Sequence, residues 1–335
     1  MYQFEEINYK LINFTEYNDF KNKSIFTTRE WLDFVKEDSN VEPLILRITD
    51  EIRFIGYFTS MVTHKFGVKI VGSPFSGWST CWMGYDVVDG IDKMDIIQPT
   101  VDYLIKFQKV LFIQIIDRDF TVEVAQASKF HWRDINTLEL QINHTDEELF
   151  KLFKTDCRNF IRQFERRGAT LERVAPSDEF AIQYYEQLKD VFAKQGMVPT
   201  YSLKKVKYMM RHLHDGENIL CLRVLDPNGK CIATSIFIGH NRKFFFWGGA
   251  SCRSGQRYRP NEYMIWTAIR FWRDKGYDTF DMVGARDYKR KFGSYDVKYG
   301  SVEFAKYPLL LILKNWAGKL YFAVLKIQGQ LAGKK

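Results

Sequence analysis

The chain has 335 residues, 46% of them apolar and 16% aromatic, enough to bury two ordinary cores without covalent staples. Its five cysteines, Cys81, Cys157, Cys221, Cys231 and Cys252, form an odd set with no Cys-x-x-Cys spacing, which argues against a disulfide framework or a zinc knuckle and predicts reduced thiols and no metal site. A formal net charge of +8 favours polyanionic partners, whether nucleic acid, a phosphate-bearing donor or an anionic membrane surface, without choosing among them.

Residues 1–6 lack a positive segment followed by an apolar stretch, so no secretory signal is expected and the protein is read as cytoplasmic. No window holds the roughly 18 uninterrupted apolar residues of a spanning helix. The first half then reads as a strand over 9–14, a helix near 28–37 and a three-strand meander. A helix over 98–109 and strands over 111–116 and 137–142 complete it.

That meander has a copy. Leu44-Ile45-Leu46-Arg47-Ile48-Thr49-Asp50 recurs as Leu220-Cys221-Leu222-Arg223-Val224-Leu225-Asp226, and each is followed by a second apolar run, a turn at His64 or His240, and a third run reaching Gly72 or Gly248. Between the copies, Thr145-Asp146-Glu147-Glu148 is a capping box that opens a single helix predicted over 145–168, with Gly168 as its stop. Phe153, Cys157, Phe160, Ile161 and Phe164 form its apolar face. Lys151, Lys154, Arg158, Arg162 and Arg166 line the other side as a basic stripe that could grip an anion or simply face solvent.

The second half repeats the order of the first: a strand over 169–174, helices over 178–195 and 202–214, the meander, a helix over 261–275, and strands over 279–283 and 298–305. Helices set apart from a meander in this way predict a mixed α/β fold, not a doubly wound sheet. The expected domains are 1–143 and 144–307, followed by a tail over 308–335 whose helix would place Leu313, Trp316, Leu320, Val324 and Ile327 on one side and Asn315, Lys319 and Lys326 on the other. That stripe is expected to dock on the first domain, with contact to the inner face of an anionic membrane as the alternative.

Chemistry concentrates in the second half. Its third meander strand, Lys243 to Ala250, ends in Gly248-Gly249, where a missing Cβ lets backbone approach a ligand, although such a pair can also mark a bulge. The polar loop that follows leads through Arg253, Arg257 and Arg259 to Pro260 and Asn261, a helix start whose amides and dipole favour phosphate. Asp281, at the end of the next strand, is the leading candidate base, with Glu262 and Asp287 behind it, and a structural carboxylate is the competing reading. Tyr288 could return a proton to a leaving group, and Lys289 and Lys291 could bind acceptor phosphate or donor. His212 and His214, two residues apart on a helix, point to different faces and are not read as metal ligands.

Four segments carry a family resemblance. Cys157-Arg158-Asn159-Phe160-Ile161-Arg162-Gln163-Phe164-Glu165-Arg166-Arg167-Gly168, Phe245-Phe246-Trp247-Gly248-Gly249-Ala250, Pro260-Asn261-Glu262-Tyr263-Met264-Ile265-Trp266, and Phe280-Asp281-Met282-Val283-Gly284 with Tyr288-Lys289-Arg290-Lys291-Phe292-Gly293 together resemble the acetyltransferase domain of FemAB-like and polysaccharide-biosynthesis GNAT proteins. The resemblance implies tandem GNAT-like domains, each a mostly antiparallel sheet flanked by helices, the first of them structural. It also implies donor contacts at Trp247, Gly248, Gly249, Arg253, Arg257, Pro260 and Asn261, and acceptor contacts at Arg158, Arg162, Lys289, Lys291 and Phe292. Two adjacent strands would splay to admit the donor.

Acyl transfer from acetyl-CoA or another acyl-CoA to an amino sugar, polysaccharide or lipid-linked cell-envelope precursor is the reading placed first. Aminoacyl transfer from aminoacyl-tRNA to a peptidoglycan precursor is the alternative. The Q/R-x-x-G-x-G/A loop of many CoA users is matched only by Gln256-Arg257-Tyr258-Arg259-Pro260-Asn261, which lacks both glycines, whereas the long helical arm of many aminoacyl ligases has no counterpart. A catalytically inactive GNAT fold that binds nucleic acid is the third reading.

Overall fold

The structure is a computed structural model that describes residues 1–121 and 130–332, apart from Ile52, Phe66 and Ser76. The chain folds into two compact units, Met1–Asn136 with Lys298–Gly318, and Thr137–Val297 with Lys319–Lys335.

In the first unit β1 (Tyr2–Ile7), α1 (Phe14–Asn18) and α2 (Arg29–Ser39) precede a meander of β2 (Glu42–Asp50), β3 (Arg53–Lys65) and β4 (Val68–Ser73). The short β5 (Tyr85–Val87) pairs with β3, and α3 (Lys93–Lys106) crosses over to β6 (Phe112–Asp117), which lies parallel to β4. The strand expected over 9–14 is not formed. Asn8 accepts from the Lys10 amide and Asn13 from the Thr15 amide, so local side-chain bonds bend this stretch into turns, and the edge strand lies upstream as β1. α2 follows its sequence signals, with Thr28 as cap and Trp31, Leu32, Phe34 and Val35 buried.

The second unit contains the capped helix α4 (Asp146–Leu152), α5 (Thr155–Arg166), β8 (Thr170–Val174), α6 (Asp178–Ala193) and α7 (Leu203–His212). Its meander is β9 (Ile219–Leu225), β10 (Cys231–His240) and β11 (Lys243–Ser251), followed by α8 (Pro260–Asp274) and β12 (Thr279–Asp281). The capping box at Thr145 and Glu148 forms in full. The single helix expected over 145–168 does not. Phe153 is extended at the break, and the Arg158 guanidinium donates to the carbonyls of Phe150 at 3.1 Å and Phe153 at 2.9 Å, which satisfies the end of α4. Phe153, Cys157, Ile161 and Phe164 are buried as expected.

Each meander uses a strand from far along the chain. β7 (His131–Gln141) runs out of the first unit, and its residues Thr137 to Gln141 belong to the second, where Gln141 to Glu139 pair with Thr279 to Asp281. Conversely β13 (Tyr295–Ala305) contributes Gly300 to Ala305 to the first unit, antiparallel to β6. The last strand of each sequence repeat thus completes the sheet of the other repeat. Leu138 and Leu140 join the second core with Phe244, Phe280 and Trp272, whereas Val302 joins the first with Ile113 and Ile115. The boundaries drawn from sequence at 143 and 307 fall just beyond these exchanged strands.

The chain continues into α9 (Pro308–Ala332), which by length and composition could cross a membrane over Pro308–Gln328. Its apolar stripe is not docked on the protein. Leu313, Trp316, Leu320, Val324 and Ile327 are all exposed.

Candidate functional site

The site begins with a strand that loses one neighbour. β11 pairs with β10 along its length, from Lys243 against His240 to Ser251 against Ala233, with a bulge at Trp247. Against β12 it pairs only over Lys243 to Phe245. From Phe246 onward β11 diverges from β12, and a cleft of about 810 Å³ opens there, with Phe246, Gly249, Ala250 and Ser251 among its lining residues. A splay of two adjacent strands is what the family resemblance implies.

β12 ends early at a turn that buried side chains hold. Val283 and Gly284 take positive φ values of 54° and 84°, a conformation disfavoured for valine, which turns the chain out of the sheet. Asp281 holds that turn, its Oδ1 accepting from the Thr137 hydroxyl at 2.6 Å and the Val283 amide at 2.7 Å. Lys289 holds it from the other side, donating through Nζ to the carbonyls of Met282 at 2.6 Å and Val283 at 2.7 Å.

Most of the remaining lining comes from three further elements, with Ser235 of β10 and Gln256 of the loop before α8 completing it. α6 and the turn after it supply Leu188, Phe192, Lys194 and Met197; α8 supplies Asn261, Glu262 and Met264 from its first turns; the segment after β12 supplies Arg286, Tyr288, Lys291 and Phe292. Glu262 and Lys291 form an ion pair inside the cleft, with side chains only 10% and 17% exposed. A pair held in so dry a place fixes both side chains in one geometry. The charged lining residues are Lys194, Arg286 and Lys291 against Glu262, so cations predominate. Tyr288 is half exposed; partial burial raises its phenol pKa while Arg286 acts in the opposite direction.

The predicted site residues therefore divide. Gly249, Asn261, Glu262, Tyr288, Lys291 and Phe292 meet at the cleft. Asp281 is not among its lining residues: it is buried, and burial, aided by the Glu139 charge, pushes its pKa up to about 6. Its Oδ2 makes no hydrogen bond among the described residues. Lys289 serves the turn, and Arg158 serves the α4–α5 break. Arg162 lies against the Phe150 ring, 5.9 Å from its centroid.

Trp247 and Gly248 back onto a tyrosine pair outside the cleft lining. The Trp247 ring sits 5.1 Å from that of Tyr201, and a Cβ on Gly248 would come within 2.2 Å of the Tyr184 hydroxyl, which itself bonds Tyr201 at 2.6 Å. Gly248 is thus needed for packing and Gly249 for the cleft. Of the loop arginines, Arg253 is exposed, Arg257 stacks on Tyr258 and bonds its hydroxyl at 2.9 Å, and Arg259 lies 4.1 Å from the Phe160 ring centroid. Arg259 takes the left-handed conformation that a glycine would adopt most readily (φ 59°) at the cap of α8, and brings a bulky side chain where a loop glycine would bring none. Pro260 follows, with no amide hydrogen to offer.

Sequence reading missed Lys194, Thr200, Ser235 and Arg286. The last has no sequence motif around it, and only the turn after β12 brings it to the cleft. No cluster of histidine, cysteine and carboxylate suited to a metal ion is found among the described residues.

Residues 151–290 match the family model of the acetyltransferase (GNAT) domain. The lipid II:glycine glycyltransferase of Staphylococcus haemolyticus (strain JCSC1435) is a relative at 21% identity, aligned over 59% of this chain and 65% of its own length, so the match spans just under two thirds of that protein. The crystal structure of FemX superposes with a TM-score of 0.74 at 15% identity, covering 92% of this chain and 99% of FemX. A tandem GNAT protein from the clavulanic acid biosynthesis pathway gives 0.53 at 11% identity, covering 92% and 99%. At these identities the structural likenesses show the fold alone, a mixed α/β fold shared with FemX and with the tandem GNAT protein.

Proposed function

We propose that the chain transfers an aminoacyl group from aminoacyl-tRNA to an amine of a lipid-linked peptidoglycan precursor. The observation that carries this reading is the match of nearly the whole chain to FemX, supported by the glycyltransferase relative. It reverses the order set from sequence, where acetyl-CoA stood first. The start of α8 supports the reversal. An arginine stacked on Phe160 and a proline without an amide stand where many CoA users offer glycines and free amides to the donor's phosphates.

In this reading the amine nitrogen attacks the carbonyl carbon of the aminoacyl ester in the splay beside Gly249. A C–N bond forms, the ester C–O bond to the tRNA ribose breaks, and one proton moves from nitrogen to the leaving oxygen. Glu262, the carboxylate among the cleft's described lining residues, takes the proton from nitrogen, Tyr288 gives its proton to the departing ribose oxygen, and the proton on Glu262 then passes back to the Tyr288 phenolate, so that one proton has moved from nitrogen to oxygen. Lys291, held by Glu262, lends positive charge to the developing oxyanion. The cationic lining and the +8 net charge suit a polyanionic donor.

The test is to incubate the purified chain with lipid II and labelled glycyl-tRNA or alanyl-tRNA, and in parallel with labelled acetyl-CoA and the same acceptor. Label should pass from tRNA to lipid II, and Glu262→Gln should slow that transfer by about 10² with acceptor binding retained. Acetyl transfer without any aminoacyl transfer would return the acyl-CoA reading to first place. Salt-sensitive tRNA binding without transfer of either group would favour the nucleic-acid-binding reading.

A further inference from the structure

We propose that α9 seats the protein on the surface of an anionic lipid bilayer, lying in the plane of the interface. This goes beyond the chemistry of the cleft and holds whichever donor is used. The helical period aligns Leu309, Leu313, Trp316, Leu320, Val324 and Ile327 in one stripe, and all six are between 42% and 70% exposed. A continuous outward stripe of this kind needs a partner.

The charges on the helix name the partner. Residues 308–332 contain Lys314, Lys319 and Lys326 and no acidic residue. Lys319 and Lys326, both exposed, follow the flank of the apolar stripe, the arrangement in which side chains reach lipid phosphates while the stripe enters the acyl boundary. A second copy of the chain would bring lysines against lysines. A bilayer with anionic headgroups brings complementary charge and apolar depth together.

Contacts on the opposite side of α9 decide between lying on the bilayer and crossing it. Lys314 pairs with Glu303, whose side chain is 4% exposed, the Tyr321 hydroxyl donates to the Thr200 carbonyl at 3.0 Å, and Leu325 is buried. A helix tied to folded protein along one side cannot be surrounded by lipid. It offers the bilayer the other side.

Co-sedimentation of the full chain with vesicles tests this, with phosphatidylcholine alone set against phosphatidylcholine containing about 30% phosphatidylglycerol, at about 0.1 M salt. The protein should pellet with the anionic vesicles and far less with the neutral ones. The double variant Trp316→Glu, Leu320→Glu should weaken binding by tenfold or more, and Lys319→Glu, Lys326→Glu should abolish the preference for anionic lipid, both with circular dichroism unchanged. Failure to bind either vesicle, or equal binding by the Trp316→Glu, Leu320→Glu variant, would overturn the proposal, as would a concentration-dependent dimer in light scattering that the same variant dissolves. The assay contains neither tRNA nor acceptor, so its outcome and that of the transfer assay stand independently.

Discussion

The two meanders begin as copies and differ at one edge. In the first unit β4 is zipped to β6 up to its last residue, Ile70 to Ser73 against Phe112 to Ile115. In the second, β11 leaves β12 after Phe245 and runs on to Ser251 with β10 as its one remaining strand neighbour among the described residues. Beyond the first meander the space is filled: Phe75 lies against Gly72, where a Cβ would sit 2.5 Å from its ring, and stacks on Phe112 at 5.8 Å. Beyond the second it is open as the cleft. On the proposed function, the first copy is scaffold and the second is opened for chemistry by a strand that ends two or three residues sooner.

Gly249→Val tests the open copy and should have the largest effect. A Cβ there already meets the Phe246 ring at 2.8 Å and 3.2 Å, so the ring must shift, and the rest of the side chain would occupy the splay, so aminoacyl transfer per folded molecule should fall by more than about 10². Normal activity in this variant would mean that the donor does not lie beside Gly249, and the contrast between the copies would lose its functional meaning.

Asp281→Asn addresses the turn that creates the splay. The Asp281 carboxyl has a folded pKa raised from 3.8 to about 6 by burial, so its neutral form is the one favoured on folding. Its contribution to stability is full below pH 3.8 and is lost as pH rises through about 6, an effect of up to about 3 kcal/mol. Urea unfolding at a series of pH values should show wild type losing stability across that window relative to Asp281→Asn, which cannot ionise. Parallel curves would place the carboxyl in a wetter setting than its burial implies.

Gly72→Val, in the closed copy, should have the smallest effect on function. The clash with Phe75 should cost about 2 kcal/mol of stability, read as a lower urea midpoint, with transfer per folded molecule unchanged. A selective loss of activity instead would give the first unit a direct part in the reaction.

Much of this architecture is written locally. The capping box at Thr145, the Thr28 cap of α2, the repeated Leu44 and Leu220 strands and the Gly-Gly strand end before a proline-led helix all depend on neighbours within a few residues, and the structure forms each of them. The candidate site was legible to the same extent. Gly249, Asn261, Glu262, Tyr288, Lys291 and Phe292 could be picked out because they flank strand ends and helix starts, where fixed backbone meets open space.

Other features rest on contacts between distant residues, and periodicity carries no address for these. An alternating strand such as Thr137 to Gln141 reads the same whether it completes its own sheet or another, and only burial of Leu138 and Leu140 beside Phe280 selects the exchange. The same holds for charge. As letters, Asp281, Lys289 and Arg158 are as reactive as Glu262 and Lys291, but the fold turns the first three inward to satisfy backbone amides and carbonyls and leaves the other two in the cleft. Sequence by itself determined most of the elements, the repeated strand pattern and the chemistry on offer. Tertiary structure decided which strand ends early and which charged groups are therefore left facing the opening, because both depend on the desolvation of groups that meet only when the chain is folded.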